Sequence, residues 1–260
     1  MRDFERLGRI LAGAHAVYHL AAVVSVLTSL EDPQTTWEVN VGGTYNLLEA
    51  ARRAKVKRLV FCSSSAVYGE YPKLPFKESF PPQPQSPYAL SKLMGEELCC
   101  LYNRLFGLET VALRLFNVYG PRQNPFSQYA NAIPNFTRRL LTGRTPTIYG
   151  NGKQTRDFVY IDDVVRAIEL ASRSKKAVGG VFNVGSGGRL SVNRLFAGIQ
   201  NILQTNTAPE FSPRKQGDVL HTRADLGRSK KVLGFAPKAD FAKSLRKTVL
   251  WFKDSGIFSR

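Results

Sequence analysis

Short apolar segments alternate with longer amphipathic segments along the first 120 residues. The apolar segments cover 16–22, 58–64 and 110–120, and the segments between them, 35–54 and 87–106, have helical patterns. Strands that are apolar along their whole length are buried on both faces. The alternation therefore predicts an α/β fold in which helices cover both sides of a parallel sheet.

Beyond residue 120 the predicted elements become shorter and the loops longer. The expected elements are a helix near 129–142, a short strand at 147–150, an apolar segment at 156–161 leading into a helix at 162–174, a strand at 181–186, and helices near 191–203 and 241–253. We therefore expect a second, smaller lobe interleaved with the first. The larger lobe is predicted to comprise residues 1–123 and 156–187, and the smaller one residues 124–155 and 188–260.

The cysteines and the apolar segments indicate in which cellular compartment the protein occurs. Cys62, Cys99 and Cys100 are the three cysteines, and their spacing suits neither a zinc site nor a disulfide framework. The longest apolar run, 16–27, contains His19 and is too short to span a bilayer. The first residues lack the pattern of a secretory signal. We therefore expect a cytoplasmic protein with no membrane partner.

The net charge is strongly positive, with 37 Lys and Arg against 20 Asp and Glu, a formal +17. Such a charge attracts nucleic acid, anionic membranes or small polyanionic substrates. The densest cluster, RRAKVKR at 52–58, falls at a predicted helix end, where cations favour the helix dipole. No stripe of basic and aromatic residues accompanies it, so we expect small anions to be bound and no specific nucleic acid.

Tyr88 and Lys92 lie four residues apart in a predicted helix that begins at Pro87, after a proline-rich loop. Residues at i and i+4 share a helical face, so the phenol and the ammonium can point into one cleft. A tyrosine with a pKa of about 10 is a poor base at neutral pH, and a nearby cation favours the phenolate. The pair alone is weakly diagnostic, because exposed helices often carry both residues.

Eight motifs, one of which contains this pair, follow one another along the sequence, and FCSSSAVYG (61–69) ends an apolar strand in three hydroxyl groups. The other motifs are YHLAA (18–22), NVGGTYNLLEA (40–50), YALSK (88–92), LRLFNVYGPRQ (113–123), GNGKQTRDFVYIDDV (150–164), FNVGSG (182–187) and QGDVLHTRAD (216–225). From about residue 1 to 253, this order resembles the extended short-chain dehydrogenase/reductase family. Within that family it is most similar to the UDP-hexose 4-epimerases, including those that act on N-acetylated hexosamines.

The resemblance implies a doubly wound, Rossmann-like NAD-binding sheet, a smaller lobe for a nucleotide sugar, and a homodimer. It identifies Tyr88 as the acid/base at the sugar 4-hydroxyl. It implies that Lys92 holds the nicotinamide ribose and lowers the pKa of Tyr88, and that Ser64 is the catalytic hydroxyl that also contacts substrate. Ala21, Ala22 and Asn40 match positions that line NAD.

The resemblance also assigns residues to the UDP-sugar. Asn117 and Arg156 match contacts to the diphosphate, and the planar guanidinium suits phosphate oxygens. Thr147 and Tyr149 match residues that flank the uracil, and Asp218 matches the ligand of the uridine ribose. Lys215 stands where the family usually has an arginine that meets the phosphate, with Arg214 just before it.

A glycine-rich fingerprint for the pyrophosphate is missing from the sequence near residue 1. The motif HLAA comes about one βαβ unit plus a strand earlier than this fold requires. We therefore expect a family member that lacks its first strands and binds NAD weakly, either as a gene fragment, as a sequence with a wrongly assigned start or as a truncated paralogue. Two interpretations stay open. The chain is a sugar-nucleotide epimerase, or it is a non-catalytic binding module that retains affinity for uridine nucleotides or nucleic acid.

Two positions bear on the reaction and on the sugar. Ser65 and Ala66 stand where related 4,6-dehydratases carry an Asp-Glu pair, which favours epimerisation because a serine and an alanine cannot replace two carboxyl groups. Thr222 matches a wall beside the hexose C2, where some relatives carry tyrosine. The smaller threonine predicts room for an N-acetyl group.

Overall fold

The computed structural model describes residues 1–126, 131–214 and 219–258. The helices are α1 (Phe4–Leu11), α2 (Val26–Glu31), α3 (Pro33–Thr36), α4 (Gly43–Arg53), α5 (Pro87–Phe106), α6 (Ala132–Leu141), α7 (Ile161–Arg173), α8 (Val192–Leu203), α9 (Gly227–Leu233) and α10 (Phe241–Asp254), with a π-helix at Trp37–Gly42 and 3₁₀ turns at Ser65–Tyr68 and Lys175–Ala177. The strands are β1 (Ala16–His19), β2 (Arg58–Ser64), β3 (Glu109–Leu115), β4 (Asn117–Tyr119), β5 (Thr147–Tyr149), β6 (Thr155–Arg156), β7 (Phe158–Tyr160), β8 (Val181–Val184), β9 (Leu190–Ser191) and β10 (Glu210–Ser212). None of the helices in these ranges is long and apolar enough to cross a bilayer.

Four parallel strands form the central sheet, in the order β1, β2, β3, β8. Phe61 of β2 lies opposite His19 of β1 and Ala112 of β3. Strand β2 is buried along nearly its whole length because strands flank both its edges and helices cover both its faces. The predicted α/β fold with a parallel, Rossmann-type sheet is confirmed.

Alternate side chains of β2 pack into different cores. Leu59 and Phe61 join side chains of α1, α4 and α5 on one face of the sheet. Val60 joins side chains of α7 and α9 on the other face. This two-residue period follows from the pleat of a strand. Each fully buried side chain of this size contributes about 1.5–3 kcal/mol to stability, so the sheet is fixed from both sides.

Gly95 lets α5 approach the sheet closely. A Cβ atom at this position would clash with the ring of Phe61. Glycine inside a helix costs about 1 kcal/mol relative to alanine. Here the cost is offset by the close packing of α5 on β2, which sets the position of the residues one and two turns earlier in the helix.

The predicted helix over 35–54 is divided into three parts. Helix α3 ends at Thr36, a π-helix follows, and α4 begins at Gly43. Inside the π-helix, Asn40 is buried and forms side-chain hydrogen bonds with Val23 and Ser91. An apolar periodicity does not reveal such a local change of helical pitch.

The predicted strand over 110–120 is also divided. Strand β3 ends at Leu115, and β4 leaves the central sheet to pair with β7, with Asn117 opposite Phe158. Between the two strands, the amide of Phe116 donates to the Val184 carbonyl at 2.9 Å. The chain therefore turns from the central sheet toward the second group of elements at this residue.

A separate hydrophobic core lies among α6, α8, α10 and the small strands. Strand β7 contributes to two cores, because Phe158 and Tyr160 join this cluster while Val159 packs under the central sheet. The residue boundaries that we expect between the two lobes stay a prediction. Because β7 contributes to both cores, the two cores are built from segments that alternate along the chain.

A chain of buried hydrogen bonds begins at His19, at the end of β1. Its Nε2 lies 2.9 Å from Thr44 Oγ1, and that hydroxyl donates to the Asn40 carbonyl at 2.5 Å. Because the hydroxyl has a single proton, Nε2 carries the ring proton and donates it. Burial, together with the positive charge of Lys92, lowers the pKa of His19 to about 4. The imidazole is therefore neutral in the folded protein.

The buried His19 should make the protein acid-sensitive. Below pH 6.5 the unfolded chain protonates this imidazole while the folded protein does not, so stability is lost as the pH falls toward 4. We expect protonation of this residue in the unfolded chain to lower the free energy of unfolding by about 2 kcal/mol between pH 7 and pH 5, as measured by urea unfolding. The variant His19→Gln should lack this part of the pH dependence, whereas His15→Gln, at an exposed position, should retain it. Equal pH dependence in wild type and His19→Gln would contradict the assignment.

Candidate active site

Ser64 and Tyr88 meet at the carboxyl edge of the central sheet. Ser64 is the last residue of β2 and caps the following 3₁₀ turn, its Oγ accepting from the Ala66 amide at 3.1 Å. Tyr88 is the second residue of α5, whose start is set by Pro87 and by Ser86, which accepts from the Ala89 amide at 3.1 Å. The Ser64 hydroxyl lies near the Tyr88 phenol, close enough to favour its phenolate form.

The acidity of Tyr88 differs from the sequence-based expectation. Burial raises the pKa of Tyr88, and the nearby Ser64 hydroxyl offsets only part of that rise. Lys92 was expected to lower this pKa, but its ammonium donates to the Cys62 carbonyl at 2.9 Å and lies over the Phe61 ring. In this structure the cation therefore stabilises the strand end instead of the phenolate.

Lys92 is 4% exposed, which is rare for a lysine. Burial lowers the pKa of Lys92 to about 8, because the charged form loses hydration. Its ammonium has three N–H donors, and the described residues provide one acceptor, the carbonyl of Cys62. The remaining donors suit the hydroxyl groups of a bound ligand.

Asn40 organises the wall beside this lysine. Its Oδ1 accepts from the Val23 amide at 2.8 Å, and its Nδ2 donates to the Val23 carbonyl at 3.0 Å and to Ser91 Oγ at 2.9 Å. Ser91 in turn donates to the Tyr88 carbonyl at 2.8 Å. The amide thus joins the segment that contains Ala21 and Ala22, directly after β1, to the first turn of α5.

A buried ion pair that the sequence analysis missed fixes α5 against the sheet. Glu96 of α5 accepts from Arg114 of β3 through two guanidinium nitrogens, at 2.9 and 2.7 Å, and from Ser63 Oγ at 2.5 Å. Both charged side chains are almost completely buried. Glu96 lies eight residues after Tyr88 on the same helical face, and Ser63 directly precedes Ser64. The ion pair therefore fixes the elements that carry the two site hydroxyls.

The network continues across the sheet through Tyr68. The Arg114 guanidinium lies 4.7 Å from the centre of the Tyr68 ring, which offsets the lack of a hydrogen-bond partner for its buried Nη1. The Tyr68 hydroxyl donates to Asn183 Oδ1 at 2.7 Å. Asn183 Nδ2 donates to the Phe76 carbonyl at 2.8 Å. Strand β8 is thereby connected to the 3₁₀ turn that follows Ser64.

The expected substrate residues lie on the small strands. Asn117 begins β4, and its amide donates to the Asp157 carbonyl at 3.0 Å. Arg156 ends β6, and its Nη1 donates to the carbonyls of Thr155 and Leu220 at 3.0 and 3.2 Å. Thr147 and Tyr149 lie at the two ends of β5. Lys215 and Asp218 lie outside the described residues.

Arg156 also lines a cavity of about 210 Å³. Arg189 contributes a second guanidinium to its wall, and the rings of Tyr160 and Phe241 supply apolar surface. A cavity with two arginines favours an anionic ligand over a neutral one. No group of three or more metal-binding side chains occurs among the residues that the structure describes.

Asp157, next to Arg156, is a buried hub that the sequence analysis did not identify. Its carboxylate accepts from the Ser186 amide and hydroxyl, both at 2.7 Å, and from the amides of Gly187 and Ala224, both at 3.0 Å. Burial raises the pKa of Asp157, and these hydrogen bonds oppose the rise. The carboxylate joins the loop after β8 to the segment at 222–225.

Thr222 lies on the same segment and is 4% exposed. Its hydroxyl accepts from the Asp157 amide at 3.2 Å, and its own amide donates to the Thr155 carbonyl at 3.1 Å. These bonds join Thr222 to Thr155 and Asp157, the residues on either side of Arg156 in the sequence. Its proposed role in limiting the size of the sugar stays a prediction.

Comparisons with known proteins find relatives over most of the chain. The model of the NAD dependent epimerase/dehydratase family matches residues 1–185. A UDP-glucose 4-epimerase of Mycolicibacterium smegmatis is 41% identical over 239 residues, which are 92% of this chain and 76% of that protein.

Two solved structures are similar over nearly the whole chain. The UDP-N-acetylglucosamine 4-epimerase of Methanobrevibacter ruminantium, solved with UDP-N-acetylmuramic acid, has a TM-score of 0.91 and 39% identity, and the match covers 96% of this chain and 80% of that one. The UDP-glucose 4-epimerase of Thermotoga maritima, solved with UDP-glucose, has a TM-score of 0.94 and 36% identity, over 98% and 82% of the two chains.

Removing one partner of the buried ion pair should be strongly destabilising. The variant Glu96→Gln leaves the Arg114 guanidinium buried without a countercharge, which costs about 3–5 kcal/mol. The double variant Glu96→Met with Arg114→Met removes both charges and should recover most of that loss. Urea unfolding measures the free energy of unfolding of the single and the double variant. A loss below about 1 kcal/mol in Glu96→Gln would show that the pair does not hold α5 in place.

Proposed function

This chain belongs to the NAD-dependent epimerase/dehydratase family, and we propose that it interconverts UDP-hexoses that differ in configuration at C4. The observation that carries this proposal is the placement of the Ser64 hydroxyl near the Tyr88 phenol at the end of a central strand, with Lys92 one helical turn beyond. A hydroxyl pair of this kind can exchange a proton with a sugar hydroxyl.

The reaction needs a proton and a hydride to leave the sugar together. The Tyr88 phenolate would take the proton of the sugar 4-hydroxyl while hydride leaves C4, giving a 4-keto sugar. Return of the hydride to C4 on the opposite face of the sugar, with return of the proton to the 4-oxygen, gives the epimer. The Ser64 hydroxyl would hold the reacting oxygen beside Tyr88, because it lies near that side chain. Arg156 and Asn117 would bind the diphosphate, and Thr147 and Tyr149 the uracil.

The residues at this edge fit the nicotinamide end of NAD, which supplies the hydride acceptor when bound. Lys92 offers N–H donors for ribose hydroxyls from a buried position. The segment after β1 offers exposed apolar surface at Leu20 and Val24, beside Ala21 and Ala22. Asn40 orders this segment by its hydrogen bonds to Val23. A pyrophosphate site is not assigned to any described residue.

The raised pKa of Tyr88 sets a requirement for this chemistry. A phenol with a pKa above 10 is mostly protonated at neutral pH. The site therefore needs additional positive charge at the phenol during the reaction. Lys92 is the nearest candidate along the helix, and movement of its ammonium away from the Cys62 carbonyl would supply that charge.

The residues after Ser64 favour epimerisation over dehydration. Ser65 and Ala66 form the first turn of the 3₁₀ segment that follows the strand. A dehydratase must move protons at C5 and C6 in addition to C4, which requires further acid and base groups. Neither side chain supplies a carboxyl group here.

The binding-module interpretation is the second candidate. The observation that favours it is the lack of a glycine-rich fingerprint in the sequence. In that case the chain would bind UDP or a UDP-sugar through Arg156 and its neighbours without turnover. Titration with NAD and with UDP in separate experiments distinguishes the two functions.

We further propose a homodimer in the cytoplasm. Trp37 of the π-helix, Tyr45 of α4 and Leu90 of α5 are exposed. Exposed large apolar side chains are typical of an interface. Cys62, Cys99 and Cys100 are all free thiols, as a reducing compartment permits.

The main test follows UDP-glucose by proton NMR in the presence of millimolar NAD. We expect the wild type to produce UDP-galactose. Tyr88→Phe should lower kcat by about 10²–10⁴-fold, because it removes the acid/base group, while calorimetry shows unchanged UDP-glucose affinity. Tyr45→Phe, on the outer face of α4, is the matched control and should keep full activity.

Two outcomes of this test would overturn the proposal. Accumulation of a 4-keto-6-deoxy sugar would identify a dehydratase. Binding of UDP-glucose without any product, together with no detectable NAD binding, would support the binding-module interpretation instead.

The size of residue 222 should affect the N-acetylated substrate more than the plain one. Thr222→Tyr adds bulk beside Arg156, so we expect a larger loss of kcat/KM on UDP-N-acetylglucosamine than on UDP-glucose. Thr222→Val keeps the shape of the side chain and should affect both substrates equally. If Thr222→Tyr lowers both activities by the same factor, this residue does not select the sugar.

A further inference from the structure

The amino edge of the central sheet lies opposite the candidate active site. Helices α1, α4, α5 and α7 each end shortly before a strand of that sheet begins. Because the four strands are parallel, all these junctions lie at one edge. Helix α9 reaches the same edge, since Ser174 Oγ donates to the Val232 carbonyl at 3.2 Å.

Exposed cations occupy every one of these junctions, and we call this surface the basic edge. Its members are Arg9, Arg52, Arg53, Lys55, Lys57, Arg104, Arg173, Lys175, Lys176, Lys230 and Lys231. Hydrogen bonds join neighbouring junctions to one another. The Lys57 amide donates to the His15 carbonyl at 3.1 Å, and Arg58 Nη1 donates to the carbonyls of Ala171 and Ser174 at 2.8 and 3.0 Å.

Few carboxylates of the described residues oppose this charge. Glu49 is paired with Arg52 and Arg53 at 2.7 and 2.8 Å. Glu109 is paired with Arg58 at 2.7 Å. Glu169 lies one turn before the end of α7. The basic edge therefore keeps a large positive excess.

Helix dipoles explain only part of the clustering of cations on the basic edge. Arg52, Arg53, Arg104 and Arg173 lie in last helical turns, where cations stabilise the helix end. Lys55 and Lys57 lie between α4 and β2, and Lys175 and Lys176 lie in the single 3₁₀ turn between α7 and β8, which is too short to have much dipole of its own. We call these four residues the junction lysines.

Exposed apolar side chains stand among the cations. Ile10, Leu105 and Phe106 are 64, 60 and 51% exposed at the ends of α1 and α5. The Arg52 guanidinium lies 5.1 Å from the centre of the Phe106 ring. Lysines that surround exposed apolar side chains are typical of surfaces that bind the headgroup region of a membrane.

We propose that the basic edge docks on an anionic membrane surface, with the apolar side chains entering the headgroup layer. This differs from the sequence-based expectation of no membrane partner, and it requires no spanning helix. Nucleic acid is less well matched, because the aliphatic side chains of Ile10 and Leu105 contribute nothing to phosphate binding. In this orientation the candidate active site faces away from the lipid.

Vesicle co-sedimentation tests this docking at 0.15 M salt. We expect the full chain to bind vesicles of phosphatidylcholine and phosphatidylglycerol (about 7:3) at least tenfold more tightly than pure phosphatidylcholine vesicles. Replacing the four junction lysines by glutamine (Lys55→Gln, Lys57→Gln, Lys175→Gln, Lys176→Gln) should weaken binding at least tenfold. Leu105→Ser should weaken the binding that remains at higher salt.

The matched control makes the same charge change on another face. Lys238→Gln, Lys243→Gln, Lys247→Gln and Lys253→Gln together, in and beside α10, should leave vesicle binding unchanged. Equal loss in both quadruple variants would show that net charge alone acts and would overturn the proposal. Tighter binding to a 30-nucleotide single-stranded RNA than to the anionic vesicles at the same salt would overturn it in favour of a nucleic-acid surface.

Discussion

The Glu96 carboxylate is the contact on which the candidate active site most depends. It accepts hydrogen bonds from Arg114 of β3 and Ser63 of β2, so one buried anion joins a helix to two strands. Such a pair tolerates little displacement, because either charge left alone in the interior is costly. The hydroxyl of Ser64 and the phenol of Tyr88 are carried by the elements that this contact fixes.

Helix α5 presents three functional side chains on one stripe: Tyr88, Lys92 and Glu96, each four residues apart. Lys92 and Glu96 are almost completely buried beside the sheet. Burial raises the pKa of Tyr88 and lowers that of Lys92 to about 8, so at neutral pH the phenol is mostly protonated while most of the lysine still carries its charge. The close contact of Gly95 with Phe61 keeps the stripe against the sheet.

The sequence predicted the elements that rest on local patterns. The strands, the start of α5 and the neighbouring hydroxyls of Ser64 and Tyr88 follow from apolar runs, capping residues and motif order. The π-helix around Asn40, the division of the strand at Phe116 and the pairing of Glu96 with Arg114 were not predictable in this way. Each depends on partners distant in sequence, which a periodicity does not reveal. The basic edge was equally hidden, because its cations come from separate junctions that only the parallel sheet brings together.

The two edges of the sheet thus have different chemistry, hydroxyl groups at the carboxyl ends and cations at the amino ends. We infer that the hydroxyl edge carries a reversible oxidation at the sugar C4. The decisive experiment incubates the protein with NAD and UDP-[4-²H]glucose in ordinary water. We expect the UDP-galactose formed to retain deuterium at C4, because the hydride that leaves this carbon returns to it. Loss of the label to solvent would rule out this mechanism, since it would show proton exchange at carbon instead of hydride transfer.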